Sequence, residues 1–276
     1  MADIQKSVKN HGFRPKKALG QNFIYDEALL ADIAACGCQP GDVVLEIGPG
    51  PGGLTAALAG RAQKVVAVEI DADIIPILKK NTAGLNVEII HGDIMTADLK
   101  ALAAGPLLGQ PFRVVANLPY YITTPILMLL LESELEIKSI TVMVQKEVAQ
   151  RIASPPGSRE YGALSVAAQL YAQADIPMEV PASAFDPQPD VDSALIRLTM
   201  LEQRIVADEE LPAFRKVVKA AFSQRRKQLK NTLSPLLGGA QQAAEALISA
   251  GIDPSRRAET LSVEEFLALT RAAGKK

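Results

Sequence analysis

Residues 43–53 read Val43-Val44-Leu45-Glu46-Ile47-Gly48-Pro49-Gly50-Pro51-Gly52-Gly53, a short β-branched run that breaks into a turn of glycine and proline. Such a run, apolar on both faces, predicts a strand buried on both sides. The glycines end it, and the apolar residues that follow predict a helix over about 53–60. The pattern then repeats. Lys64 to Ile70, Val87 to Ile90, Phe112 to Ala116 and Ile140 to Val144 predict further strands, with helices over about 72–82, 96–104, 124–135 and 146–153 around them. Strands and helices alternating at this spacing specify a doubly wound α/β fold on a mostly parallel sheet. A helix from Asp26 to Cys36 precedes the first strand and is expected to cap the sheet edge or the site.

The pattern changes after Pro155-Pro156-Gly157. A helix near 162–172 is followed by two strand-like runs, Ile176 to Val180 and Val191 to Met200, with no helix between them. Consecutive strands there predict an antiparallel final strand on a Rossmann-like sheet, an ending unlike the NAD-binding fold. Beyond about residue 203 only helices are predicted: a basic one through 211–230 with Asp208 as its cap, an alanine-rich one ending at Gly251, and one opened by the capping box Ser262 and Glu265. The expected division is a domain over 1–203 carrying a basic N-terminal arm, and a small all-α domain over 204–276.

The chain has 276 residues, 48% hydrophobic and 22% charged, values that set aside long disorder and collagen-like repeats. The longest apolar run, Ile126 to Leu131, falls far short of the roughly 20 residues of a bilayer helix, so a cytoplasmic protein without membrane contact is expected. Cys36 and Cys38 stand too close for an ordinary disulfide and are too few for a metal site, so reduced thiols and no metal are expected. Net charge is −2, but the basic residues are clumped. Residues 1–17 hold Lys6, Lys9, Arg14, Lys16 and Lys17 against one acid, Asp3, and residues 211–230 hold seven basic residues and no acid. Such patches suit a phosphate backbone, and equally a solvated helix face.

Gly48, Gly50 and Gly53 satisfy G-x-G-x-x-G, with Glu69 at the end of the second strand where a ribose-binding acid belongs. This pattern serves any adenosine ligand, and a tight structural turn is the plainer alternative. Glu46 beside the loop favours S-adenosylmethionine over NAD, because a carboxylate repels pyrophosphate and attracts a cationic amino-acid headgroup. In Gly92-Asp93-Ile94, Asp93 is a candidate acceptor for an adenine amine with the next N–H, that of Ile94, donating to the ring; the alternative is a turn residue. The fourth strand runs into Asn117-Leu118-Pro119-Tyr120-Tyr121, which opens onto the same crevice as the other strand ends.

Asn117-Leu118-Pro119-Tyr120 resembles the N-[LI]-P-[YF] motif of the rRNA adenine dimethylase superfamily, S-adenosylmethionine-dependent enzymes that methylate adenine N6. Gln21-Asn22-Phe23, Val68-Glu69-Ile70-Asp71, the segment Phe185 to Ser193, and Phe222 to Lys227 resemble further elements of it, within the bacterial small-subunit (16S) kasugamycin-sensitivity methyltransferase family. The resemblance implies dimethylation of two adjacent adenosines near the 3′ end of 16S rRNA. It implies catalytic roles for Asn117, Leu118, Pro119, Tyr120 and Phe185, with Asn117 Oδ1 and the Leu118 carbonyl as acceptors for the amine and the two aromatic rings on the adenine faces. For the cofactor it implies Gln21, Asn22, Glu46, Gly48, Gly50, Glu69, Ile70, Asp93, Ile94 and Asn117. Lys16, Lys17, Arg225, Arg226 and Lys227 become expected RNA contacts. The expected partner is the small ribosomal subunit as an assembly intermediate, the enzyme acting as a monomer with a role in subunit biogenesis. A macrolide-resistance-type large-subunit methyltransferase and an NAD-dependent oxidoreductase are the competing readings.

Overall fold

The computed structural model describes residues 4–274; Asp3, the acid of the basic arm, lies outside the described residues. Among the described residues nine strands form: β1 (Phe23–Ile24), β2 (Val43–Ile47), β3 (Lys64–Glu69), β4 (Val87–His91), β5 (Phe112–Asn117), β6 (Ile137–Gln145), β7 (Ala172–Val180), β8 (Phe185–Asp186) and β9 (Ser193–Met200). Seven build one sheet in the order β4-β3-β2-β5-β6-β9-β7. β2 pairs in parallel with both β3 and β5, and β9 is antiparallel to β6, as the consecutive final strands predict. The chain thus leaves β2 toward β3 and β4 and later returns to its other side at β5. That reversal is the switch point where doubly wound sheets bind ligands, and it lies between the carboxyl ends of β2 and β5.

The helix Glu27–Gly37, opened by Asp26 accepting from Ala28 and Leu29 N–H, does not cap the sheet edge. Leu30, Ile33 and Ala34 pack with Val44, Val115 and Leu195, so the helix covers a sheet face. Burying a side chain the size of Leu30 or Ile33 contributes roughly 1.5–3 kcal/mol, which holds the helix on that face while its polar side stays in water. The basic arm is folded too. Ile4–Asn10 is helical, and Val8 is buried with Phe23, Ile74 and Ile77.

The chain divides into one unit of residues 1–149 and 174–200 and a second of 150–173 and 201–276. Residues 150–173 were expected in the first domain; they group instead with the C-terminal helices. Tyr161 accounts for this, since its ring sits 6.3 Å from Phe222, which packs in turn at 5.7 Å, tilted, against Phe266. The capping box of Ser262 and Glu265 forms as expected. The basic helix is shorter than expected, ending at Ala221. Ser223 Oγ bonds back to the Ala220 carbonyl at 2.7 Å, an alternative to continuing the helix, and the cations at 225–227 have no acid among them to relieve their repulsion. Asp208 caps nothing with its side chain; it pairs with Arg204 at 2.8 Å.

Candidate active site

A cleft of about 870 Å³, its open mouth included, lies beyond the carboxyl ends of β2, β3, β4 and β5. Gln21, Asn22, Gly48, Gly50, Glu69, Ile70, Asp93, Ile94, Asn117, Leu118, Pro119, Tyr120 and Phe185 all line it. Phe23 and Tyr121, quoted in the motifs without an assigned role, line it as well, and so do Ile122 and Ile126, for which the sequence carried no signal.

Glu69 ends β3 and is 3% exposed. Its Oε2 accepts from Gly50 N–H at 3.0 Å and its Oε1 from Asp71 N–H at 2.8 Å. Burial raises its pKa, with the Asp71 charge adding, while these two N–H groups favour the ionised form. The glycine loop is thereby tied to the acid, and Gly50 is required twice over. Its φ is +56°, and a Cβ there would stand 2.8 Å from the Phe23 ring. Asp93 makes the turn that was its alternative reading, Oδ1 accepting from Met95 N–H at 2.9 Å, and lines the cleft as well.

Asn117 ends β5. Its Nδ2 donates to the Asn22 carbonyl at 2.9 Å. Because a carbonyl only accepts, this contact settles which way the amide faces and leaves Oδ1 as the atom offered to a ligand. Pro119's carbonyl accepts from Ile122 N–H and Thr123 Oγ1, so the turn after β5 is braced by the start of the helix Thr123–Leu131. The Tyr120 hydroxyl lies 2.7 Å from buried Ser193 Oγ at the start of β9. Burial raises the Tyr120 pKa, so the phenol stays protonated and its ring is held by both ends. β1 and β8 pair antiparallel, Phe23 opposite Asp186 and Ile24 opposite Phe185. This ribbon brings the segments around Asn22 and Phe185 to one cleft, an arrangement without a local sequence signal.

Two expectations are corrected. Glu46 does not line the cleft. Strand alternation puts it on the face of β2 shared with Val44, where it is 1% exposed beside a smaller cavity with Leu30, Ile33 and Leu54, and its Oε2 has no partner. Burial pushes its pKa up to about 8 against the opposing effect of the Thr55 hydroxyl, with the Glu69 charge adding a smaller push upward. Lys16, an expected RNA contact, is engaged within the protein. Its Nζ pairs with Asp71 and Asp73, each at 2.6 Å. Gln21 both lines the cleft and caps the arm, Oε1 accepting Lys16 N–H at 2.8 Å. Lys17, Arg225, Arg226 and Lys227 are exposed.

The Glu46 carboxyl gives a stability signature. Its native pKa lies above the unfolded value, so the protein holds a proton that the unfolded chain releases from about pH 4.5 upward. Stability from this group is complete below that pH and declines toward pH 8, by at most about 1.4 kcal/mol per pH unit. Glu46→Gln, neutral throughout, is expected to flatten that decline in thermal unfolding of the free protein. Parallel curves for the two proteins would refute it.

The sequence matches the family described as Ribosomal RNA adenine dimethylase over residues 12–275. A Shouchella clausii protein named Ribosomal RNA small subunit methyltransferase A is 52% identical over 271 residues, covering 96% of this chain and 92% of that protein. One of the same name from Alkaliphilus metalliredigens is 46% identical over 268 residues, covering 96% and 93%. Among solved structures, a Plasmodium falciparum dimethyladenosine transferase shares the fold, with a TM-score of 0.76, 24% identity and coverage of 90% and 95%. The 23S rRNA methyltransferase ErmE is similar, with a TM-score of 0.71, 28% identity and coverage of 92% and 100%.

Proposed function

The chain belongs to the ribosomal RNA adenine dimethylase family, and from that premise we propose that it uses S-adenosylmethionine to dimethylate N6 of two adjacent adenosines near the 3′ end of 16S rRNA. The choice of small subunit is supported by the relatives at 46–52% identity, which carry that name. The observation that carries the chemistry is the orientation of Asn117 by the Asn22 carbonyl, in one cleft with Tyr120, Phe185, Glu69 and Asp93.

The residues fit the cofactor. Glu69 is pre-aligned by two N–H groups to accept ribose hydroxyls, Asp93 Oδ2 is available to an adenine amine, and Gly48 and Gly50 let backbone approach the methionine end. When bound, S-adenosylmethionine supplies a methyl group on an electrophilic sulfonium. The chain's own task is to prepare the amine, whose lone pair is delocalised into the adenine ring. Asn117 Oδ1 and the Leu118 carbonyl accept the two N6 hydrogens, which directs the lone pair outward and stabilises the positive charge developing on nitrogen. Tyr120 and Phe185 offer their ring faces to the adenine and to that charge. The displaced proton leaves to solvent, and no strong base is needed; neither His11 nor His91 lines the cleft.

Lys17 and the exposed turn Arg225-Arg226-Lys227 serve as phosphate contacts that position the RNA, while RNA shape supplies selectivity. The substrate is a partly assembled small subunit, the enzyme a cytoplasmic monomer. Among the described residues no helix is long and apolar enough to cross a membrane.

The deciding experiment is methyl incorporation from labelled S-adenosylmethionine into undermethylated small subunits, large subunits and free rRNA, with nucleoside mass spectrometry. Dimethyladenosine on small subunits is the expected result. Label confined to large subunits would replace this reading with the large-subunit one.

A further inference from the structure

Lys16 and Gln21 converge on one buried carboxylate. Asp71 is 3% exposed, and its Oδ1 accepts from Lys16 Nζ at 2.6 Å and its Oδ2 from Gln21 Nε2 at 2.8 Å. Oδ1 also accepts from Asp73 N–H at 3.1 Å. Burial works to raise the Asp71 pKa, but the bonds from Lys16, Gln21 and Asp73 overcome it and hold the group below the usual carboxylate range. A charge withdrawn from water this far depends on its partners, unlike an exposed ion pair. The Lys16 N–H to Gln21 Oε1 bond closes the loop between them, so Lys16, Gln21 and Asp71 form one connected unit.

Asp71 stands at a junction. Its backbone N–H donates to Glu69 Oε1, which orients the ribose acceptor. Its side chain holds the segment from which Leu19, Gly20, Gln21 and Asn22 line the same cleft. Immediately after that segment, Phe23 packs over Gly50 and pairs with Asp186, and Asn22 orients Asn117. The segment is therefore fastened at its β8 end by strand pairing and at its Lys16 end by the Asp71 carboxylate.

We propose that Asp71 is a positioning residue for the cofactor: through Lys16 and Gln21 it straps residues 16–22 along the cleft, so that cofactor affinity, and not RNA affinity, depends on these contacts. A segment already held in place loses less freedom when the ligand enters, and that saving appears as affinity. The proposal rests on the S-adenosylmethionine reading above. Lys16, a basic residue of a basic arm, then acts inside the protein and not on phosphate.

The test uses the full chain and titration calorimetry with S-adenosylhomocysteine. Lys16→Met and Asp71→Asn are each expected to raise Kd about tenfold, and the double variant no further than the worse single, because the two changes break one unit. Lys16→Arg should restore most of the affinity, since a guanidinium also pairs with the carboxylate. Lys100→Met, which breaks the exposed Lys100–Glu134 pair, should leave Kd unchanged. In methylation assays the KM for S-adenosylmethionine should rise with the KM for the small subunit unchanged.

Kd within twofold of wild type in a folded Lys16→Met protein would overturn the strap. A rise in the small-subunit KM alone would overturn it too, returning Lys16 to RNA. Should Asp71→Asn unfold the protein, Lys16→Met decides, since its side chain is 41% exposed and its loss leaves no cavity in the core. Wild type failing to bind S-adenosylhomocysteine would instead overturn the cofactor reading beneath the proposal.

Discussion

Asn117→Ala is expected to lose roughly two to three orders of magnitude in methyl transfer, the scale seen when a pre-aligned charge-stabilising group is removed. S-adenosylhomocysteine affinity should stay within a few-fold of wild type. The split follows from what the side chain does. Its Nδ2 is committed to the Asn22 carbonyl at 2.9 Å, so Oδ1 alone serves the amine, and the contact it makes strengthens only as nitrogen gains positive charge. Alanine keeps the backbone of the turn, which Ile122 N–H and Thr123 brace independently through Pro119. Single-turnover methylation of small subunits with saturating cofactor measures the effect. Undiminished turnover would sink the acceptor mechanism, and a parallel loss of cofactor binding would make the cofactor contact, also implied for Asn117, its main role.

Glu69→Ala is expected to weaken S-adenosylhomocysteine binding by about a hundredfold, corresponding to two hydrogen bonds to a charged acceptor at roughly 1.5 kcal/mol each. The carboxylate is buried and aimed by Gly50 and Asp71 N–H, so no reorganisation is needed before it accepts. The substitution also leaves those two N–H groups without their acceptor, which loosens the glycine loop. Calorimetric affinity should therefore be read beside the melting temperature. Glu69→Gln separates the two effects, because its amide oxygen accepts one N–H while the charge is gone; an intermediate loss is expected. Affinity unaltered by either change would leave Glu69 as an anchor for the loop only.

The cleft was legible in the sequence because its main residues sit where strands end. A buried parallel strand announces itself by a β-branched run, and the right-handed crossover rule sends every such strand the same way, so Gly48, Glu69, Asp93 and Asn117 come to one rim. The antiparallel ending, the capping box at Ser262 and the change to helices near residue 200 were local as well. The direction of Glu46 was within reach, since strict alternation places it on the face of β2 shared with Val44.

Other features had no local signature. Whether Lys16 meets phosphate or Asp71, whether residues 150–173 join the sheet or the helices, and whether Phe185 closes over the same cleft as Asn22 depend on segments far apart in the chain. Periodicity reports which side of an element avoids water. It carries no information about which distant partner supplies the other side, because that choice is made by the shape and charge of surfaces that exist only once the chain has folded. The sequence by itself therefore determined the strands, their order of chemistry and the rim where they end; the tertiary structure alone decided how the arm, the β1–β8 ribbon and the buried carboxylates are fastened around it.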